Sequence, residues 1–373
     1  MISTSVRRAT ALACLIVIGA CSPGTASTSP HVATSSPSAA TSPPPEPAQV
    51  SPAPASSAAT GDAIPLLIDT DVAPDDLVAI AFLVASPKVH IEAITVSGTG
   101  EAHCGPGVDV VLRLLERLKA PSIDVACGRE TPMAGDHAFP DAWRAGVDGG
   151  SGLDLPATTR QPYAGDAVGL ITETADREDG LRVLTLGPMT NIADALGRDA
   201  DLAKRFESVY AMGGALSVPG NVAFAGPPDN QVAEWNIYVD PTAAQTVIDS
   251  GVPVRLVSLD GTSQVPVTPA YARRVREAAT GSGAAVLVDL FDALPFMSDG
   301  SYFLWDPLAA ALAAGYPVGS FSPRRVDVEE AEGPEVGFTR PVDGTPNVEY
   351  LSAADATAAE TTLLDTLNGV VAP

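Results

Sequence analysis

Short β-branched runs alternate with Ala- and Leu-rich stretches along most of this chain, and that alternation limits the folds open to it. Residues 65–69, 90–96, 182–186, 208–212 and 254–259 read as strands. Helical patterns lie between them at 76–85, 107–118, from 192 onward, and at 242–250. A strand that runs parallel to its predecessor needs a crossover connection, which a helix supplies. The expected fold is a single α/β domain with a mostly parallel, open, Rossmann-like sheet and helices on both faces. Ligands of such sheets bind outside the carboxyl ends of the strands, so residues just after strands are the candidates for chemistry. The 373 residues, 46% of them apolar, supply enough core for one large domain.

The N-terminal sixty residues lack that texture. Arg7 and Arg8 precede an apolar stretch, 10–20, that is too short to span a bilayer. It ends in Ile18-Gly19-Ala20-Cys21, small residues before a cysteine, as in a bacterial lipobox; an ordinary secretory signal cut nearby is the other reading. Residues 1–20 are expected to be a lipoprotein-type signal peptide. Lipidation of Cys21 would hold an exported protein at the cell surface by that anchor alone. Residues 21–61 are almost all Ser, Thr, Pro and Ala; they bury too little to offset chain entropy and are expected to form a disordered tether. The folded domain then occupies 62–373. Cys104 and Cys127 lie within it and either pair as a disulfide, which export permits, or stay as buried thiols. The net charge of −24 excludes nucleic acid as a partner and suits metal cations and neutral small molecules.

The most informative segment follows the 65–69 strand. Asp69-Thr70-Asp71-Val72-Ala73-Pro74-Asp75-Asp76 packs four carboxylates into eight residues, just before a helical pattern. Like charges so close repel unless a cation lies between them, and hard divalent cations prefer carboxylate oxygens. Asp75 or Asp76 could cap the helix, but capping accounts for one carboxylate, not four. Phosphatases of the haloacid dehalogenase type also place Asp-x-Asp after a first strand. Their pattern asks for Thr or Val where this chain has Ala73, and it lacks the Asp75-Asp76 pair.

The segment resembles the Asp-Thr-Asp-x-Gly-x-Asp-Asp signature of the calcium-dependent nucleoside hydrolases, with Ala73 in place of Gly. Three further blocks are similar to that family's and come in its order. They are Leu186-Gly187-Pro188-Met189-Thr190-Asn191, then Met212-Gly213-Gly214 with Gly220-Asn221 and Ala233-Glu234-Trp235-Asn236, and finally Trp305-Asp306-Pro307-Leu308. The resemblance covers nearly all of the domain. It implies hydrolysis of the N-glycosidic bond of ribonucleosides to ribose and free base, as in purine salvage, in a homodimer or homotetramer. It also implies that Asp71, Asp76, the carbonyl of Thr190 and Asp306 hold Ca²⁺, which then takes the ribose diol and a water. Asp71 would be the general base. Asp75 would accept a hydrogen bond from a ribose hydroxyl. Glu234 and Asn236, two apart and on one side if the segment is extended, would face the sugar with Trp235 turned into the core. Asn221 and Met212 would complete the pocket at the 5′ end.

Two departures bear on specificity. Pyrimidine-active members of the family have His where this chain has Trp305, and an indole can stack on a purine but cannot protonate a leaving base. Thr99 stands where the family reads Asn, and its hydroxyl reaches less far toward the sugar. A purine-leaning hydrolase is therefore expected. The alternative is a calcium-dependent riboside-binding lipoprotein with little or no activity. His103 and His137 are the remaining sources of a substitute acid, each more often a surface residue.

Overall fold

A computed structural model of the chain describes residues 63–370. The signal peptide, Cys21 and the tether at 21–61 lie outside the described residues. One nine-stranded sheet organises the domain. Its strands are β1 (Ile64–Thr70), β2 (Val89–Val96), β3 (Asp124–Cys127), β4 (Leu181–Thr185), β5 (Phe206–Met212), β6 (Val254–Val257), β7 (Gly319–Val328), β8 (Thr339–Val342) and β9 (Val348–Ala354). Their order is β3-β2-β1-β4-β5-β6-β9-β7-β8. The first seven in that order are parallel, and β7 and β8 close one edge with antiparallel pairing.

β1 shows why a parallel centre follows from this sequence. Leu66, Leu67 and Ile68 are all fully buried, because successive side chains point to opposite faces and both faces are covered. Leu66 and Ile68 enter one core with the helices Pro74–Ala85 and Trp305–Ala313. Leu67 enters the other, with the helices Thr190–Arg198 and Pro241–Asp249.

The strand order also sets the site. From β1 the chain steps outward to β2 and β3, then returns to β4 on the other side of β1. That reversal opens a crevice beyond the carboxyl ends of β1 and β4, where doubly wound sheets bind ligands.

Three expectations need correcting, and one open choice is resolved. β3, β7, β8 and β9 are strands that periodicity did not reveal, since β7, β8 and β9 mix polar with apolar residues and are half exposed, and β7 and β8 each carry a proline. The 254–259 run ends as a strand at Val257, and Leu259 starts a short helix. Glu234 and Asn236 are not on an extended segment: Glu234 is the N-cap of the helix Trp235–Val239. Of the two readings left open for the cysteines, Cys104 and Cys127 form a disulfide, with Cα atoms 5.5 Å apart.

Candidate active site

The turn after β1 is held by its own side chains. Asp76 Oδ1 accepts from the hydroxyl of Thr70 and from the backbone N–H groups of Asp71 (3.2 Å) and Val72 (3.3 Å). Val72, not the neighbouring residue, takes the left-handed conformation, with φ 68°, and a β-branched residue there is strained. Ala73, where the family signature has Gly, sits at φ −55° and needs no glycine. Two glycines are required by contact with Asp71. A methyl group at Gly100 would lie 2.2 Å from Asp71 Cβ, and one at Gly187 would lie 2.6 Å away. The Leu186-Gly187-Pro188 block therefore seats Asp71 against β4.

Asp71, Asp75, Asp76 and Asp306 are all nearly or fully buried. Neither the helix Pro74–Ala85 nor the helix Trp305–Ala313 has a side-chain cap, so the first-turn aspartates are not spent on capping. Both helix N-termini add a favourable partial charge for anions. Ligand atoms of Asp75, Asp76 and Asp306 lie within 4.8 Å of one another, so Asp75 belongs to the cluster by position as well as Asp76 and Asp306. Burial, then the neighbouring Asp76, holds the Asp75 carboxyl up to about 7. Burial and like charges raise Asp71 and Asp306 well above the usual carboxylate range. Glu101, half-buried beside them, is pushed up to about 8 by burial and by Asp75 and Asp76. The buried Oδ2 of Asp76 has no partner. An orphaned carboxylate oxygen among unpaired carboxylates fits a divalent cation, which is the charge this cluster lacks.

The cluster opens into a cavity of about 820 Å³. Asp71, Asp75, Asp76, Met212, Asn221, Glu234, Asn236, Trp305 and Asp306 all line it. Two expected site residues do not. Thr99 is buried beneath, its hydroxyl bonded to Ser97 (2.9 Å) and Thr190 (3.0 Å), so a substrate role for it is corrected to a supporting one. Thr190, fully buried at the start of the helix Thr190–Arg198, donates its hydroxyl to Asp240 at 2.7 Å.

The Glu234 carboxylate accepts from the N–H groups of Asn236 (3.0 Å), Gly214 (3.1 Å) and Ile237 (3.3 Å). Burial still lifts it to about 7. Asn236 donates to the carbonyls of Leu186 (2.8 Å) and Met212 (3.1 Å), tying the ends of β4 and β5 together. Asn221 accepts from Trp235 N–H at 3.0 Å. Trp235 is turned into a small core of its own, buried and stacked on Phe139 with ring centroids 5.0 Å apart, and it also borders the cavity.

Several wall residues had no sequence signal. Tyr302 donates to Asp75 Oδ1 at 2.7 Å and meets Trp305 edge-on at 4.6 Å. Phe139, Trp143, Phe224 and Phe296 also line the cavity. Their positions in the chain are scattered, and only the fold collects them. Among the described residues no Lys, Arg or His lines it. His103 is bound to Asp148 at the surface, and His137 stacks on Tyr238.

Comparison with known proteins agrees with this arrangement. The chain is 36% identical over 219 residues to the pyrimidine-specific ribonucleoside hydrolase RihA of Salmonella paratyphi B; the match takes in 58% of this chain and 66% of that enzyme, just under two thirds of its length. The structure of a purine-preferring ribonucleoside hydrolase from Gardnerella vaginalis superposes with a TM-score of 0.71 at 27% identity, covering 82% of this chain and 98% of that one. A plant nucleoside hydrolase, PpNRh1, superposes with a TM-score of 0.72 at 25% identity over 82% and 99%. The sequence profile of the inosine-uridine preferring nucleoside hydrolases matches residues 66–361. Matched from its first core strand to its last helix, the chain belongs to the inosine-uridine preferring nucleoside hydrolase family.

Proposed function

We propose that this domain hydrolyses the N-glycosidic bond of ribonucleosides, with Ca²⁺ at the aspartate cluster and a preference for purines. The observation that carries this reading is a set of buried carboxylates, without a cationic partner, at the crevice between β1 and β4 and at the floor of an aromatic cavity. Asp71, Asp76 and Asp306 would hold the ion, with the Thr190 carbonyl as a further ligand. A bound Ca²⁺ would fix the ribose diol and acidify a water. Asp71, whose carboxylate accepts from Glu101 N–H at 3.1 Å, would take that water's proton. Asp75, aligned by Tyr302, would accept from a ribose hydroxyl. Negative charge at Asp75 and Glu234 would stabilise the oxocarbenium-like transition state.

The preference for purines rests on what lines the cavity. Without His, Lys or Arg, a leaving pyrimidine has no cationic acid. Trp305 and Trp143 offer indole faces on which a purine could stack. We also infer export and lipid anchoring at Cys21, with residues 21–61 as tether. The Cys104–Cys127 disulfide supports an oxidising compartment.

The test is ribose release by the full-length chain from inosine, adenosine, guanosine, uridine and p-nitrophenyl riboside, with Ca²⁺ and with chelator. Chelator-sensitive turnover of purine ribosides above uridine is expected. Turnover of the nitrophenyl compound alone would overturn base activation by stacking. A folded, Ca²⁺-binding protein that cleaves none of them would instead be a riboside-binding protein.

A further inference from the structure

The cavity is larger than a nucleoside needs. Its volume is about 820 Å³. Even at roughly 30 Å³ per non-hydrogen atom, the share a water molecule takes in its liquid and more than a bonded atom needs, a nucleoside of about twenty such atoms takes no more than about 600 Å³. Its aromatic lining forms two separate walls. In one, Phe139, Trp143 and Trp235 pack with centroids 5.0 to 6.3 Å apart, and Phe224 adjoins Trp143 at 6.4 Å. In the other, Trp305 meets Tyr302 at 4.6 Å, and Phe296 adjoins Tyr302 at 5.8 Å.

Each wall ends in a phenyl ring that projects into solvent. Phe224, on the turn Val222–Phe224, is 85% exposed, and Phe296, on the turn Pro295–Ser298, is 48% exposed. Scattered exposed apolar residues are ordinary. Here both exposed phenylalanines of the described residues line one cavity, beyond the rings that would hold a base, and apolar side chains gathered at a cavity mark a binding surface.

We propose that the preferred substrates are ribonucleosides whose base carries an apolar, ring-bearing substituent, received by Phe224 and Phe296 as an outer subsite. This rests on the ribonucleoside reading above. The carboxylates and the Glu234–Asn236 pair take the sugar, the tryptophans take the base, and the two phenylalanines are what remains of the lining for a group beyond it. The reaction is unchanged: water adds at the anomeric carbon and gives its proton to Asp71, the C–N bond breaks with its electron pair going to the base, and the substituted base leaves, taking up a proton from solvent.

The experiment compares adenosine with N6-benzyladenosine on the full-length chain, in the wild type and in a Phe224→Ser, Phe296→Ser double variant. Both positions are exposed, so the fold should survive. Burying one additional ring predicts roughly tenfold higher kcat/KM for the benzyl compound in the wild type. In the double variant the ratio should fall to about one. A wild-type ratio of one or less, with adenosine cleaved, overturns the subsite, as it would if a second copy of the chain covered these rings. A high ratio that survives in the double variant overturns the assignment to Phe224 and Phe296. If neither nucleoside is cleaved, the hydrolase reading fails, and the two dissociation constants, measured calorimetrically with Ca²⁺, decide the subsite: tenfold tighter benzyl binding supports it and equal constants overturn it.

Discussion

At the scale of single residues, the site is a set of carboxylates in a cavity that, among the described residues, no Lys, Arg or His lines. Removing a charge from the cluster should therefore act in opposite directions with and without metal. Asp306→Asn relieves repulsion among buried like charges, so it should raise the melting temperature in chelator. On the Ca²⁺ reading proposed above, it should also erase the stabilisation expected of Ca²⁺ in the wild type, together with turnover. Calorimetry across a Ca²⁺ titration checks both. Tyr302 makes a more local prediction. Its phenol, kept protonated by burial and by Asp75 beside it, donates the 2.7 Å bond that orients the Asp75 carboxylate. Tyr302→Phe keeps the ring between Phe296 and Trp305 and loses only that bond. A loss of about 1 kcal/mol, roughly fivefold, is expected in KM, with kcat little changed. An equal fall in kcat would instead mean that Asp75 acts mainly in the transition state.

At the scale of elements, the crevice depends on how closely the ends of β1 and β4 approach. Leu186 N–H donates to Asp69 O at 2.8 Å, and Gly187 leaves room for Asp71. Gly187→Ala should cost about 1–3 kcal/mol through overpacking and displace Asp71. Turnover and Ca²⁺ affinity should then fall together, since Asp71 would be both base and ligand. The disulfide does related work on the other side of β1. Cys104 starts the helix that follows the Gly98–Glu101 loop, and Cys127 ends β3. They are separated by 23 positions in sequence, so replacing both by Ser should cost about 3 kcal/mol, read as a lower denaturant midpoint.

For the whole molecule, the buried acids couple stability to pH. In the fold Asp75 holds its proton to about 7, Glu234 to about 7 and Glu101 to about 8. Unfolded carboxylates lose theirs near pH 4. Between those values the folded state binds more protons, so stability in chelator should be highest near pH 4 and fall as pH rises to about 8. Ca²⁺ favours the ionised carboxylates and should flatten or reverse that slope. Urea melts at several pH values, with and without Ca²⁺, check the sign. A metal-free protein that gains stability toward pH 8 would show that the cluster is solvated or paired in some other way.

Local sequence determined the parallel centre of the sheet, because fully apolar runs such as Leu66-Leu67-Ile68 can only be buried on both faces. It also determined the four blocks that carry the family. The Asp69–Asp76 cluster was legible because adjacent like charges need an explanation in any fold. Beyond that, tertiary structure decided. It made Glu234 a helix cap rather than a strand residue, since capping is settled by where the following N–H groups point. It put Thr99 beneath the site, where Ser97 and Thr190 saturate its hydroxyl. It brought Tyr302 to Asp75 across 227 positions of chain and gathered Phe139, Trp143, Phe224 and Phe296 around one cavity. Periodicity and motif report only neighbours along the chain, whereas these contacts come from packing separate elements at one end of the sheet, where distance in sequence has no bearing on distance in space.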